Sequence, residues 1–139
     1  EATLADRIDE FAELVAGHLA AALVYEEELA GSPDDPVLRG LRDLTYRAAA
    51  RAARRAASIS ALPAAQRWQV LAIDQAKLLD VPARERAQLA ADYYTYLWHE
   101  ADPAERAALF SEAVGLFEGS PELTDDDRQL RARLQAALA

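Results

Sequence analysis

Leu4, Ile8, Phe11, Val15, His18, Ala22, Tyr25 and Leu29 follow one another in steps of three and four residues. An α-helix returns such positions to one side at every turn. A strand cannot use this spacing, because its side chains alternate between faces. Residues 3–30 therefore read as one long helix whose apolar seam is expected to face a core. The rest of the chain follows the same grammar. Pro36, Pro63, Pro82, Pro103 and Pro121 each precede a helical pattern, where a missing N–H costs nothing. Asp35, Asp102 and Ser120 stand before three of them as N-caps. Gly31 and Gly119 follow helical runs as stops, and Thr124 with Asp127 reads as a variant capping box. The expected helices are 3–30, 36–61, 63–80, 82–101, 103–118 and 122–138. Their short connections turn each helix back on its predecessor. The expectation is an all-α fold, a single-domain antiparallel bundle of about six helices over residues 1–139.

Composition closes off the alternatives. Of 139 residues, 33 are Ala and 20 are Leu, while Val and Ile together number nine, too few for a sheet protein. Cysteine is absent, which excludes disulfides, thiolate metal sites, cysteine nucleophiles and iron–sulfur clusters. A net charge of −9 argues against nucleic acid as a partner, because phosphate neutralisation needs surplus cations. The longest run without Asp, Glu, Lys or Arg, Leu14–Tyr25, has twelve residues and is too short to span a bilayer. No Lys/Arg-led apolar segment opens the sequence, so no signal peptide is expected. These features describe a soluble monomer, cytoplasmic when expressed in cells, with no membrane partner.

The seam carries one residue with chemistry, His18. Around it stand Ala16, Gly17, Ala20, Ala21 and Ala22, and no charge occurs between Glu13 and Glu26. Folding the second helix back places His18 opposite Ala48, give or take a turn. That level of the second helix includes Thr45, Ala48, Ala49, Ala52, Ala53 and Ala56. Two facing segments are thus stripped of large side chains around one imidazole expected to be buried, and close packing demands an occupant. Gly17 inside a helix costs about 1 kcal/mol relative to Ala, which suggests close approach at this level.

Two occupants fit. In one, alanine faces let the helices approach closely, aromatics such as Trp68, Tyr93, Tyr94, Tyr96 or Trp98 fill the gap, and His18 is a hydrogen-bonded core residue. In the other, a flat cofactor fills it. A neutral imidazole beside a broad apolar slot is the axial-ligand arrangement of haem and related porphyrins. His18 is then the metal ligand, Gly17, Ala22, Ala48, Ala49 and Ala52 give clearance, and Arg47, Arg51 and Arg55 pair with the carboxylates. An open opposite face would permit peroxidase- or carbene-transfer-type chemistry at iron. Ion pairs with Asp6, Asp9, Glu10 and Glu13 of the first helix explain the same arginines without a ligand.

Other classes need other features. A ligand-free scaffold or a protein-interaction module fits any helical bundle. Lys77, the sole lysine, would suit Schiff-base chemistry if buried, but Asp74 and Asp80 three residues to either side favour a charged surface amine. His99 lies on a polar helix face with Thr95 and Asp92. Neither histidine has a glutamate three residues before it, and the zinc-protease, phosphate-loop, nucleophile-elbow and calcium-loop patterns are absent.

The helix–acidic turn–helix from Glu112 to Leu134 is faintly similar to tellurite-resistance B-type helical domains, with Glu118-Gly119 in place of the usual Asp-Gly; no residue roles transfer. Proline-marked helix starts, Ala/Leu/Arg/Glu-filled faces and the lack of Met, Cys and Asn make the chain resemble a computationally designed helical bundle. A lone histidine amid small residues would, in such a design, imply a cofactor ligand.

Overall fold

The computed structural model describes residues 3–96, 102–118 and 123–138, with the side chains of Ala5, Asp6 and Tyr94 outside the description. Seven helices occupy the described residues: α1 (Leu4–Glu10), α2 (Ala12–Leu29), α3 (Pro36–Ser58), α4 (Leu62–Leu78), α5 (Ala83–Tyr96), α6 (Pro103–Gly115) and α7 (Asp125–Leu138). No strand occurs among them, and the chain is all-α.

The helix expected over 3–30 is two helices. Phe11 has φ −97° and ψ 4°, and its N–H donates to the Ile8 carbonyl, three residues back, at 3.2 Å. That tight turn ends α1, and α2 resumes as the Val15 N–H donates to the Phe11 carbonyl at 2.9 Å.

Local chemistry sets the other boundaries. Asp35 caps α3 by accepting from the N–H groups of Val37 and Leu38 at 2.9 and 3.2 Å, and Asp102 caps α6 by accepting from Ala104 at 2.9 Å. Pro36 and Pro103 are first residues of their helices, Pro63 is the second of α4, and Pro82 directly precedes α5. At α7 the capping box is reciprocal: Asp127 N–H donates to the Thr124 hydroxyl, and Thr124 N–H donates to the Asp127 carboxylate, each at 3.1 Å. The Thr124 hydroxyl holds the Asp127 carboxyl below its ordinary value, and the Arg84 guanidinium 3.4 Å away pulls the same way. Gly31 does not supply a left-handed cap, because α2 ends with Ala30 in an extended conformation. The left-handed cap sits where no glycine marks it, at Ser60 (φ 60°) after α3. Ser60 N–H donates to the Ala57 carbonyl at 3.0 Å and Ala61 N–H to the Ala56 carbonyl at 2.8 Å, the two bonds of a Schellman motif. Leu97–Ala101 and Gly119–Glu122, which include Trp98, His99, Gly119, Ser120 and Pro121, lie outside the described residues.

The chain divides into two compact units, Glu1–Leu79 and Asp80–Ala139. In the first, α3 packs against both α2 and α4. Its interior is built from alanine: Ala12 and Ala16 on α2, Ala49, Ala50, Ala52, Ala53 and Ala56 on α3, and Ala65, Ala72 and Ala76 on α4. Leu23, Leu38 and Ile73 are buried with them, and Trp68 fills more of what the alanines leave. Trp68 of α4 packs on Ala12, Ala16 and Ala52, and its indole N–H donates to Glu13 at 3.3 Å. Polar groups tie the three helices together. Arg42 donates to Glu27 at 3.0 Å and to the buried Gln75 at 3.3 Å, and the buried Thr45 donates to its own Leu41 carbonyl at 2.8 Å.

The second unit has a more conventional core. Phe110, Phe117, Leu130 and Leu134 pack with Ala87, Ala90, Ala91 and Ala113. Arg86 pairs with Glu112 at 3.2 Å, and Arg84 with Asp126 at 3.3 Å. Burial raises the Tyr93 phenol above its ordinary value, and the Glu105 carboxylate adds to that shift.

Candidate functional site

The buried imidazole expected at His18 does not occur. His18 is exposed, as are Ala22 and every described large apolar member of its seam. The residues of α2 that face the interior are Ala12, Ala16 and Leu23, with Leu19 half-buried between them. These also step by four and three. The seam expected inside and the seam found inside differ by one residue, a rotation of about 100°. The reason is steric. The facing side of α3 is alanine, and helices in close approach accept Ala12 and Ala16 between them, not Phe11 or Tyr25.

Gly17 is half-buried, and a methyl group built on it would meet nothing nearer than Trp68 Cη2 at 4.0 Å. Close backbone approach is therefore not what places a glycine there. Ala49 and Ala52 are fully buried by packing rather than lining a slot. The gap expected at this level is filled by helix contact and Trp68.

Part of the expected constellation does come together, without His18. The numbering falls along α2 and α1 as it rises along α3: Glu27 meets Arg42, Leu19 lies 3.5 Å from the Thr45 hydroxyl, and Asp9 lies 3.7 Å from Arg51. Along this crossing runs a groove of 420 Å³. Ile8, Ala12, Val15 and Leu19 line one side, and Leu44, Arg47, Ala48, Arg51 and Arg54 the other. A polar cleft of 340 Å³ adjoins it, lined by Asp9, Arg51, Arg54, Arg55 and Ser58. Arg47, Ala48, Arg51 and Arg55 thus belong to one surface feature, while His18, Gly17 and Ala22 do not line it. Arg47 is held by Asp43 at 3.1 Å within its own helix. Arg54 has no carboxylate partner among the side chains described.

Ile8, Ala12, Val15, Leu19, Leu44 and Arg54 are the groove residues not among the site residues expected from the sequence. On α3 a signal existed: positions 44, 47, 48, 51, 54, 55 and 58 share one helical face and change along it from leucine to arginine and serine.

Lys77 is exposed rather than buried, and it lines neither the groove nor the cleft. Among the described residues, no three His, Asp or Glu side chains cluster as metal ligands, and no helix is long and apolar enough to cross a membrane. No protein-family model, curated protein or solved structure matches the chain.

Proposed function

We propose that this chain is a protein-interaction module whose α1–α2 seam docks an amphipathic helix of a partner. One observation carries the reading: the four-three seam is exposed. Leu4, Tyr25 and Leu29 are 75, 69 and 78% exposed, and Ile8, Phe11 and Val15 each about half. Large apolar side chains exposed along one side of neighbouring helices mark an interaction site. Its spacing selects the kind of partner. Knobs repeating every three and four residues insert into the holes of another helix, and β-branched Ile8 and Val15 alternate with Leu4 and Phe11 as in helix pairs.

Charge narrows the choice. Glu10 and Glu28 border the seam as exposed acids and Glu26 is half-buried beside it, against the single cation Arg7. A membrane-surface helix needs Lys and Arg there to meet anionic lipid, so a lipid surface fits poorly. A second copy would set acid against acid. A helix with basic residues flanking its apolar stripe is the complementary partner.

The probe is a synthetic heptad peptide with leucine at the seam and lysine flanking it, followed by fluorescence anisotropy. Saturable binding is expected, weakened at least tenfold by Tyr25→Gln with Leu29→Gln, and weakened when the flanking lysines become glutamates. Both substituted residues are exposed, so the fold should survive, which circular dichroism checks. Equal binding by wild type and the double variant removes the reading. Self-association lost in the same variant replaces the partner helix by a second copy.

A further inference from the structure

The apolar groove and the polar cleft share Arg51 and Arg54, so they adjoin at these side chains and together make one stepped depression. Its character changes along its length. At one end Leu19 faces Leu44; in the middle Val15 and Ile8 lie with Ala48; at the other end Asp9, Arg51, Arg54, Arg55 and Ser58 gather. On α3 this row runs from residue 44 to 58, about 21 Å of helix at 1.5 Å per residue.

Among the described side chains, the cationic end has more guanidinium groups than carboxylates. Four guanidinium groups, of Arg47, Arg51, Arg54 and Arg55, line the two spaces, and the carboxylates recorded on them are Asp43 and Asp9. In a chain of net charge −9, this is a local excess of positive charge. The Arg51–Asp9 contact is long at 3.7 Å, and Arg51 is half-exposed, so its donors can be shared. The placement agrees with the helix dipole, since cations favour a helix C-terminus, and that alone explains arginine near Ser58. It does not explain why an apolar trough leads directly into the arginines. Each space has a volume in the range of small-ligand sites.

We infer that this depression binds a single-chain amphiphile with an anionic head. The chain lies along Ile8, Val15, Leu19 and Leu44, where the hydrophobic effect contributes for every methylene covered. The head meets Arg54 and Arg55, with Arg51 beside them, through charge-assisted hydrogen bonds that guanidinium forms with carboxylate or phosphate. Neither part suffices alone, because an open trough gives weak apolar binding and exposed arginines give weak ion pairing. This ligand would share Ile8 and Val15 with the helix proposed for the seam, whereas Leu44, Arg54 and Arg55 play no part in that reading.

The test is isothermal titration of the full chain with decanoate below its micellar concentration. The expected result is saturable binding of one decanoate, weakened at least tenfold by Arg54→Gln with Arg55→Gln and also by Leu44→Gln. The Tyr25→Gln, Leu29→Gln chain should bind decanoate as wild type does, which separates failure here from failure of helix docking. Decyl phosphate replacing decanoate with equal or greater affinity would retain the site and assign phosphate as its preferred head. Inorganic phosphate binding as tightly as decyl phosphate overturns the inference, because the trough then contributes nothing. Equal affinity for decanol or decyltrimethylammonium overturns it from the other side. So does decanoate binding unaffected by the arginine substitutions. Leu44 and Arg54 are exposed, and unchanged thermal melts of their variants show that lost binding is not lost folding.

Discussion

Glycine and left-handed backbone are mismatched in this chain at two places. Ser60 adopts φ 60°, a conformation that costs an L-residue about 1–2 kcal/mol, and does so because the Schellman bonds to Ala56 and Ala57 require it. Gly17 sits in the middle of α2, where glycine costs about 1 kcal/mol relative to alanine and no neighbour forbids a methyl group. Reversing both should help. Ser60→Gly and Gly17→Ala are each expected to raise the urea midpoint by the equivalent of about 0.5–1 kcal/mol. A loss of stability in Gly17→Ala would show that the space around Gly17 does not accept a methyl group, and no gain in Ser60→Gly would mean that the turn is not strained. Neither position was legible in the sequence. A serine in a turn carries no mark of positive φ, and a helical glycine reads as a packing requirement until its surroundings are seen.

At the scale of the element, helix starts were readable because their causes are local. Asp35, Asp102 and the Thr124–Asp127 box each satisfy N–H groups two or three residues away. The phase of α2 was not readable. Its period appears in the sequence, but apolar residues occupy its whole circumference between Glu13 and Glu26. Which side turns inward depends on α3, whose alanines accept Ala12 and Ala16. A rotation of one residue moved His18 from the interior to the surface and took the expected cofactor slot with it. The capping box of α7 yields a pH prediction. The folded-state pKa of Asp127 is depressed, so its stabilisation is complete above the ordinary carboxylate range and lost as pH falls through the lowered value. Asp127→Ala should therefore melt below wild type at neutral pH, with the gap narrowing in acid. A gap that stays constant across the acid range would show that the carboxylate charge contributes nothing to the cap.

At the scale of the whole molecule, the two units reach stability by different means. In Glu1–Leu79 the interior is mostly alanine, with Leu23, Leu38 and Ile73 the larger buried aliphatics, so many close contacts and the Arg42–Glu27–Gln75 bonds stand in for bulk. In Asp80–Ala139 a few large side chains, Phe110 and Leu134 among them, carry the core, and a chain of about 60 residues buries only about 60% of its unfolded surface. The sequence reads as a single domain because Leu79–Pro82 has no linker composition, and whether the two units fold as one is a question of their separate stability. Each unit nevertheless has its own buried cluster, and that sets an expectation for the parts. A polypeptide of residues 1–79 should be helical by circular dichroism and unfold cooperatively in urea, with a midpoint close to that of one transition of the full chain. The fragment 80–139, with fewer residues to enclose its aromatics, should be helical but less stable. If 1–79 alone is unfolded while the full chain melts in one step, the alanine interior depends on the rest of the chain, and one domain spans all 139 residues.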